Sequence, residues 1–462
     1  MSEIGVVSFL QNSPSKEVLN AGSSFDEIQN ALLTPPATTA KDGVIGTASS
    51  FSFNTGNSGN ADEDFVFTLT SDAPADWSGS FTVNGTTSSL ATINMASNSS
   101  LAGTIDVTPG PTPAFATYTL SIAPADNPNA PAMLTQIYVI SGVTDLVVNN
   151  AAGNGVTPGD AATWQEGYVN GLNFAGSTSY DVVYHTSVQS ALSQGALTGV
   201  KNLYLNIGWS FPGLTDEFVD QLKPFMDNGG NVMISGQDVA WETWDEVNSP
   251  YWSANKQDFF TDYLNVGWIS DGNASNKPLT ANLSDIYAPV PSATINAYYG
   301  STYFYPDQLS LVNNSIPAFY YNNNVAKIAG IRSNNGHKVF FLGVGLEMIG
   351  TDADKENIMK ITYDWFHGNI TSAQFDAQLA SVLGQNFPNP SNSITYIPVS
   401  GLSEDMTFTV TDELGRVLMS QPVSKSTSSI KVNTSGLSNG IYFYRIANAS
   451  NQGATKSMEV IH

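Results

Sequence analysis

Cysteine is absent from all 462 residues. Disulfides, thiolate metal sites and cysteine nucleophiles are therefore excluded. Basic residues are scarce: 16 Lys and Arg stand against 40 Asp and Glu, a formal net charge of -24. That balance argues against a nucleic-acid surface or binding to anionic lipid, and it favours solubility. No apolar run approaches the ~20 residues of a membrane-spanning helix. The opening Met1-Ser2-Glu3-Ile4-Gly5 has neither the basic nor the apolar region of a signal peptide. No cofactor is expected from any motif.

The charge is unevenly spread along the chain. Residues 1–131 hold 12 acidic and 2 basic side chains, 132–370 hold 22 and 9, and 371–462 hold 6 and 5. A chain of this length is expected to form about two to four domains. Residues 1–131 alternate in short runs after a polar lead-in with one strand at Val6–Leu10. Phe51–Asn54, Phe65–Thr70, Ser80–Gly85, Gly103–Val107 and Ala116–Ile122 are separated by turn signals, a pattern that predicts a β-sandwich with Trp77 in its core.

From about residue 132 the period changes. Gln136–Ile140, Tyr180–Tyr184, Leu203–Ile207, the stretch after Gly229-Gly230 within Asn228–Asp238, and Lys338–Gly343 are near-continuous apolar runs. Between them lie helical patterns: Asp160–Leu172 capped by Asp160, Thr215–Met226 capped by Thr215, Ser253–Leu264 and Asp352–Phe366. Pro224 is expected to kink or end the second. Buried strands alternating with helices predict a doubly wound α/β domain over 132–370, with a β-insertion and a hairpin at Asn322-Asn323-Asn324. Residues 371–383 read as a linker. Residues 384–462 return to alternation, at Ser393–Val399, Met406–Thr411, Arg416–Ser420, Ser429–Val432, Ile441–Ile446 and Lys456–Ile461, and predict a second sandwich, with a Tyr/Arg outer face on the Ile441–Ile446 strand.

Two stretches carry a resemblance in the middle region. One is Gly229-Gly230, a strand and a glycine turn. The other is Phe341-Leu342-Gly343-Val344-Gly345-Leu346-Glu347. Together they resemble the flavodoxin-like fold of class I glutamine amidotransferase-like domains. Active members carry a cysteine in the first turn and a His two residues before the Glu. Ser235-Gly236-Gln237 has no cysteine, and the family's histidine is missing before Glu347. The resemblance implies the fold and argues against that activity.

The tail carries a second resemblance. Asn386-Phe387-Pro388-Asn389-Pro390, Asp412-Glu413-Leu414-Gly415-Arg416, Asn439-Gly440-Ile441-Tyr442-Phe443-Tyr444-Arg445 and Lys456-Ser457-Met458 occur in that order. This resembles the type A C-terminal sorting domain of the type IX secretion system. It implies export, recognition of the tail by the secretion machinery, and a secreted or outer-membrane surface location. A signal peptide is then expected to have been removed before residue 1.

Within the α/β domain, strand direction places Asp145, His185, Trp209, Gln237, Asp238 and Glu347 at the carboxyl ends, where ligands collect in such sheets. His337 precedes its strand and falls at the other end. His185, Asp238 and Glu347 are candidates for an acid/base or metal group. The plainer reading is that Gln237 and Asp238 bond the turn's own backbone. Trp209, Gln237, Trp241 and Trp244 are the candidate ligand-binding residues, and Trp241, Trp244 and Trp252 cluster after the turn as a candidate sugar or peptide platform, against simple packing of a long loop. Glu242, Asp245 and Glu246 are acidic enough for Ca²⁺ but lack a ligand-spacing motif, so no metal is assigned. Two functions stay open: a non-catalytic secreted protein whose α/β domain binds an extracellular ligand, and an extracellular hydrolase built on His185, Asp238 and Glu347.

Overall fold

A computed structural model describes residues 7–11, 18–23, 30–127, 130–150, 164–272, 276–300, 302–370, 383–400, 402, 405–447 and 453–462. The expected cap Asp160 and all but the last residue of the expected linker 371–383 lie outside these. The chain divides into two compact units, Met1–Val143 with Ser190–Gly199, and Thr144–Gln189 with Val200–His462.

The first unit contains two five-stranded sheets. One orders Ala31–Thr34, Ser49–Asn57, Ser99–Thr108, Ser78–Val83 and Thr86–Ser88. The other orders Ala40–Asp42, Met133–Ser141, Ala114–Pro124, Glu63–Ser71 and Leu90–Met95. Alternation sends Phe51, Phe53, Phe65, Phe67, Phe81, Ile105 and Leu120 into one buried cluster. Trp77 joins it and donates its indole N–H to the Thr112 carbonyl at 2.9 Å, which satisfies its polar end. A separate antiparallel pair joins Val7–Gln11 to Val18–Ser23.

One boundary differs from the expectation. Gln136–Ile140 is not the first α/β strand. Met133–Ser141 pairs antiparallel with Ala114–Pro124 and parallel with Ala40–Asp42. Thr135, Ile137 and Val139 are buried while Gln136 is exposed, so the run has one inward face, the signature of a sandwich strand. The transition falls at Val143/Thr144, not at 131/132.

In the second unit, β1 (Asp145–Asn149), β2 (Tyr180–Tyr184), β3 (Asn202–Gly208), β4 (Asn231–Gly236) and a later strand at Lys338–Leu342 are mutually parallel. Between β4 and that later strand come β5 (Ile316–Tyr321) and β6 (Asn324–Asn334), so Lys338–Leu342 is β7. The order is β2-β1-β3-β4-β7, and β6 and β5 extend it antiparallel beyond β7. Every residue of β1, β3 and β4 is buried, which is why these segments read as unbroken apolar runs. Shorter strands at Val266–Ser270, Leu279–Ala281, Ser292–Ala293 and Gln308–Leu311 complete the insertion.

Besides the helix His185–Ser193 that follows β2, the helices are α1 (Glu166–Ala175), α2 (Asp216–Asp227), α3 (Val239–Trp244), α4 (Ala254–Phe259) and α5 (Asp352–Phe366). The Thr215 side chain accepts the Phe218 N–H at 3.2 Å, the expected cap, and α2 runs through Pro224 to Asp227. Ser253 caps α4, which passes into a π-helical turn at Phe260–Leu264.

At the amino ends of the strands a polar ladder crosses the sheet. Asn202 Nδ2 donates to Asp145 Oδ1 at 2.8 Å, Asn231 Nδ2 to Asn202 Oδ1 at 2.8 Å, and the Lys338 N–H to Asn231 Oδ1 at 2.8 Å. Asp145 therefore belongs to this end and not to the carboxyl rim. It is the first residue of β1, and the misplacement follows from taking Gln136–Ile140 as that strand.

The tail forms a four-stranded sheet, Val417–Val423, Met406–Thr411, Gly440–Ala447 and Gly453–Val460, and a pair, Ile394–Pro398 with Ser429–Asn433. Its Gly440–Ala447 strand reverses one expectation. Tyr442 and Tyr444 face inward, and Ile441 and Phe443 are exposed. The tyrosine hydroxyls explain this: Tyr442 donates to the Ser438 carbonyl and Tyr444 to the Gly384 carbonyl, both at 2.9 Å, so each buried ring has a bonded polar tip.

Candidate functional site

The carboxyl ends of β3, β4 and β7 converge on a rim of aromatic and acidic side chains. Trp209 follows β3 and is 5% exposed. Its ring meets Tyr299 at 5.2 Å, Tyr303 at 5.3 Å and Phe211 at 6.2 Å. Its indole N–H donates to Asp238 Oδ2 at 2.6 Å.

Asp238 sits on the β4–α3 turn with a left-handed φ of 59°, which an Asp adopts more readily than most residues. It makes no side-chain bond to the turn's backbone, contrary to expectation. That work falls to Asp307, whose carboxylate accepts the Ala240 and Trp241 N–H groups at 2.9 and 3.1 Å. Gln237 does not brace its own turn either. It reaches across to the Tyr303 carbonyl and the Tyr305 N–H, both at 3.2 Å, and pins that loop.

Sequence reasoning missed Asp271 and Asp307. Carboxylate oxygens of Asp238, Asp271 and Asp307 lie within 4.8 Å of one another. Burial, and then acidic neighbours, push the Asp238 and Asp307 carboxyls well above the usual carboxylate range, and partial burial of its carboxyl, with Asp245 nearby, raises the otherwise exposed Asp271 to about 6. The three residues come from distant loops, so no local spacing could have disclosed them.

Glu347 is buried and accepts the Tyr299 hydroxyl at 2.6 Å. Burial pushes its carboxyl up to about 7, and the Tyr299 bond only partly offsets that. His185 opens the helix after β2. Burial lowers its pKa against the pull of the Asn149 backbone, and its ring lies 6.1 Å from Phe218. The groups acting on Asp238 are Trp209, Asp271 and Glu242, and those acting on Glu347 are Tyr299, its own backbone and Lys355. His185 is in neither set.

The tryptophans after the turn are tied into the fold to different degrees. Trp241 donates to Asp245 Oδ2 at 3.1 Å and packs edge-on against Phe211, and Trp244 is half-buried. Tyr251 and Trp252 are each 37% exposed, and Phe211 stacks on Tyr251 at 5.8 Å. They line an open groove of about 270 Å³ with Pro212, Pro250, Asp216 and Glu217. Of the acidic residues once considered for Ca²⁺, Glu242 is fully buried against Lys256 at 3.1 Å, and Asp245 caps its own turn at Val247 and Asn248.

In the tail, the residues read as sorting signal have structural partners. Asn386 bonds the Pro388 carbonyl and Thr395 Oγ1 at 3.1 and 3.0 Å, and Asn389 accepts the Glu459 N–H at 2.8 Å, which fixes the entry. Pro388 and Pro390 are exposed. Asp412 accepts the Arg416 side chain at 2.7 Å around Gly415, whose φ is 75°. Arg445 and Lys456 are half-buried on neighbouring strands, and Gly440 opens the first of these.

Residues 385–460 match the family of secretion system C-terminal sorting domains. No curated protein matches the chain. Among solved structures, the N-terminal domain of PorA is 9% identical over 30% of this chain and 97% of its own, with a TM-score of 0.18. A family 123 glycoside hydrolase from Clostridium perfringens is 10% identical over 47% of this chain and 50% of its own, TM-score 0.18. A PapD-like domain of human CEP192 is 13% identical over 24% and 85%, TM-score 0.17. Similarities this weak carry no argument about fold or function. The sorting tail alone shows a secreted type IX cargo protein, and no described helix is long and apolar enough to cross a membrane.

Proposed function

We propose that this secreted cargo is a non-catalytic carbohydrate-binding protein, and that its α/β domain is a doubly wound sheet of flavodoxin-like order. The parallel order β2-β1-β3-β4-β7 supports the second part, since it matches the 2-1-3-4-5 arrangement. The observation that carries the first is the groove after α2's cap. Tyr251 and Trp252 offer half-exposed rings for the apolar face of a sugar, and Asp216 and Glu217 supply acceptors for its hydroxyls. Phe211 holds the Tyr251 ring in place, so little side-chain freedom is lost on binding.

The hydrolytic alternative has less support, because His185, Asp238 and Glu347 answer to separate partners. A glutamine amidotransferase site has less still. Gly345 occupies the position of that family's histidine, and a Cβ there would collide with the Glu347 carboxylate, which folds into that space. Binding of the full chain to a panel of soluble neutral polysaccharides tests the reading. Tyr251→Ala and Trp252→Ala should each weaken the bound glycan by about 1–3 kcal/mol with unchanged melting. Retained affinity in both variants, or no binding across the panel, would refute it.

A further inference from the structure

Three aspartates from separate loops meet at the carboxyl end of β4. Asp238 precedes α3, Asp271 follows the strand Val266–Ser270, and Asp307 precedes the strand Gln308–Leu311. Their carboxylate oxygens lie within 4.8 Å of one another. Among the described residues no ion pair reaches any of them, and the neighbouring Lys256 is committed to Glu242. Two of the three are buried. Crowded carboxylates with no counter-charge cost several kcal/mol each by the usual desolvation reckoning, about what one buried ion costs after relaxation. Among the described residues no cation offsets that, and three N–H donors do so only in part.

A second observation points to what does. Both Asp307 oxygens accept backbone N–H groups, and Asp238 Oδ2 accepts the Trp209 indole. Asp238 Oδ1 is buried, in a residue only 6% exposed, and has no hydrogen-bond partner. A carboxylate oxygen withdrawn from water and left without a donor, on a residue whose carboxylate is clustered with two others, is suited to a cation. The backbone preserves the crowding. A side chain at Gly272 would strike the Pro306 carbonyl, so this glycine lets the Asp271 and Asp307 segments lie against each other.

We propose that Asp238, Asp271 and Asp307 form a site for a hard divalent cation, with Ca²⁺ as its occupant. The donors are all carboxylate oxygens, the set that suits Ca²⁺ and Mg²⁺ and not zinc or copper. Asp271 is exposed, so water can complete the shell from outside. Ca²⁺ accepts the irregular geometry that three unrelated loops provide, whereas Mg²⁺ demands a near-ideal octahedron. A secreted protein meets Ca²⁺ in the concentration range that extracellular modules bind, about 10⁻⁴–10⁻³ M. The site is separate from the Tyr251–Trp252 groove, and failure of the carbohydrate reading leaves it standing.

The test uses the full chain, stripped with a chelator, and Ca²⁺ alone as the probe. Tb³⁺ luminescence sensitised by Trp209, which bonds the Asp238 carboxylate directly, reports occupancy, and Ca²⁺ displaces it. Calorimetry gives the affinity. Asp271→Asn removes one ligand at an exposed position and should weaken Ca²⁺ by about tenfold or more. Asp352→Asn, exposed on α5, controls for diffuse attraction to an acidic protein and should change nothing. Absence of saturable Ca²⁺ binding by the unaltered protein would overturn the site. So would equal affinity in Asp271→Asn, or equal loss in Asp352→Asn. Displacement of Tb³⁺ by Mg²⁺ as readily as by Ca²⁺ would overturn the choice of occupant.

Discussion

The two ends of one parallel sheet hold buried carboxylates on opposite terms. At the amino end, Asp145 is fully buried and fully engaged: it accepts Asn202 Nδ2 at 2.8 Å, the Tyr204 hydroxyl at 3.1 Å and Thr144 Oγ1 at 2.7 Å, with His367 at 3.0 Å. At the carboxyl end, Asp238 is nearly as buried, yet one oxygen accepts nothing and its neighbours are further acids. The first arrangement joins strands. The second leaves a buried carboxyl short of a donor and crowded by other acids. Satisfied burial marks structure, and an unsatisfied buried carboxylate at the carboxyl rim is the feature on which the proposed cation site rests.

The largest effect is expected from breaking the satisfied end. Asp145→Asn puts an amide N–H₂ among groups that already donate, and strands Thr144, Tyr204 or Asn202 without an acceptor. The cost should be about 3–5 kcal/mol, the usual loss when one member of a buried charged network is removed. Urea denaturation measures it. Polysaccharide binding by the folded fraction should be unchanged, because no part of the groove lies at that end. A loss under about 1 kcal/mol would mean the ladder is not the structural element the hydrogen bonds suggest.

The next effect separates the ends by pH. Burial raises Glu347 from 4.5 to about 7, so the folded state binds a proton more tightly than the unfolded one. Stability from this group is therefore fully present below about pH 4.5 and is lost as pH rises through about 7. Over that window the loss should be about 3 kcal/mol, at about 1.4 kcal/mol per unit. Glu347→Gln keeps an acceptor for Tyr299 and removes the titration. Denaturant midpoints of both proteins at pH 5, 6, 7 and 8 give the difference. Parallel curves would show that Glu347 does not titrate in this range.

Much of the fold was legible before the structure. The apolar runs of β3, β4 and β7, the Thr215 cap and the tail's turn motifs all follow from local chemistry. The boundary was missed because Gln136-Ile137-Tyr138-Val139-Ile140 looks apolar throughout unless the exposed Gln136 and half-buried Tyr138 are given their weight. That one error carried Asp145 to the wrong end of the sheet. The site was less legible. Strand direction points to Asp238, Trp209 and Gln237 at the carboxyl rim, and the structure has them there. Asp271 and Asp307 lie in the loosely patterned insertion, and only the pairing of Val266–Ser270 with Gln308–Leu311 brings their segments together. Long-range pairing of that kind leaves no periodic trace.

The smallest effect has the opposite sign. Asp238→Asn is the same exchange as at Asp145, made at the unsatisfied end. The amide oxygen can keep the Trp209 bond. The N–H₂ replaces an oxygen that had no donor, in a cluster whose carboxylate oxygens lie within 4.8 Å of one another. One acid is removed from a cluster of three. In chelator the variant should therefore be more stable than the unaltered protein, by about 1–2 kcal/mol, since one of three crowded acids without a counter-charge is removed. Thermal melting at pH 7.5 in EDTA measures this. Saturating Ca²⁺ should then reverse the order, because the unaltered protein gains a ligand that the variant binds poorly. Destabilisation in EDTA would mean that Asp238 carries structure as Asp145 does, and the contrast between the two ends would fail.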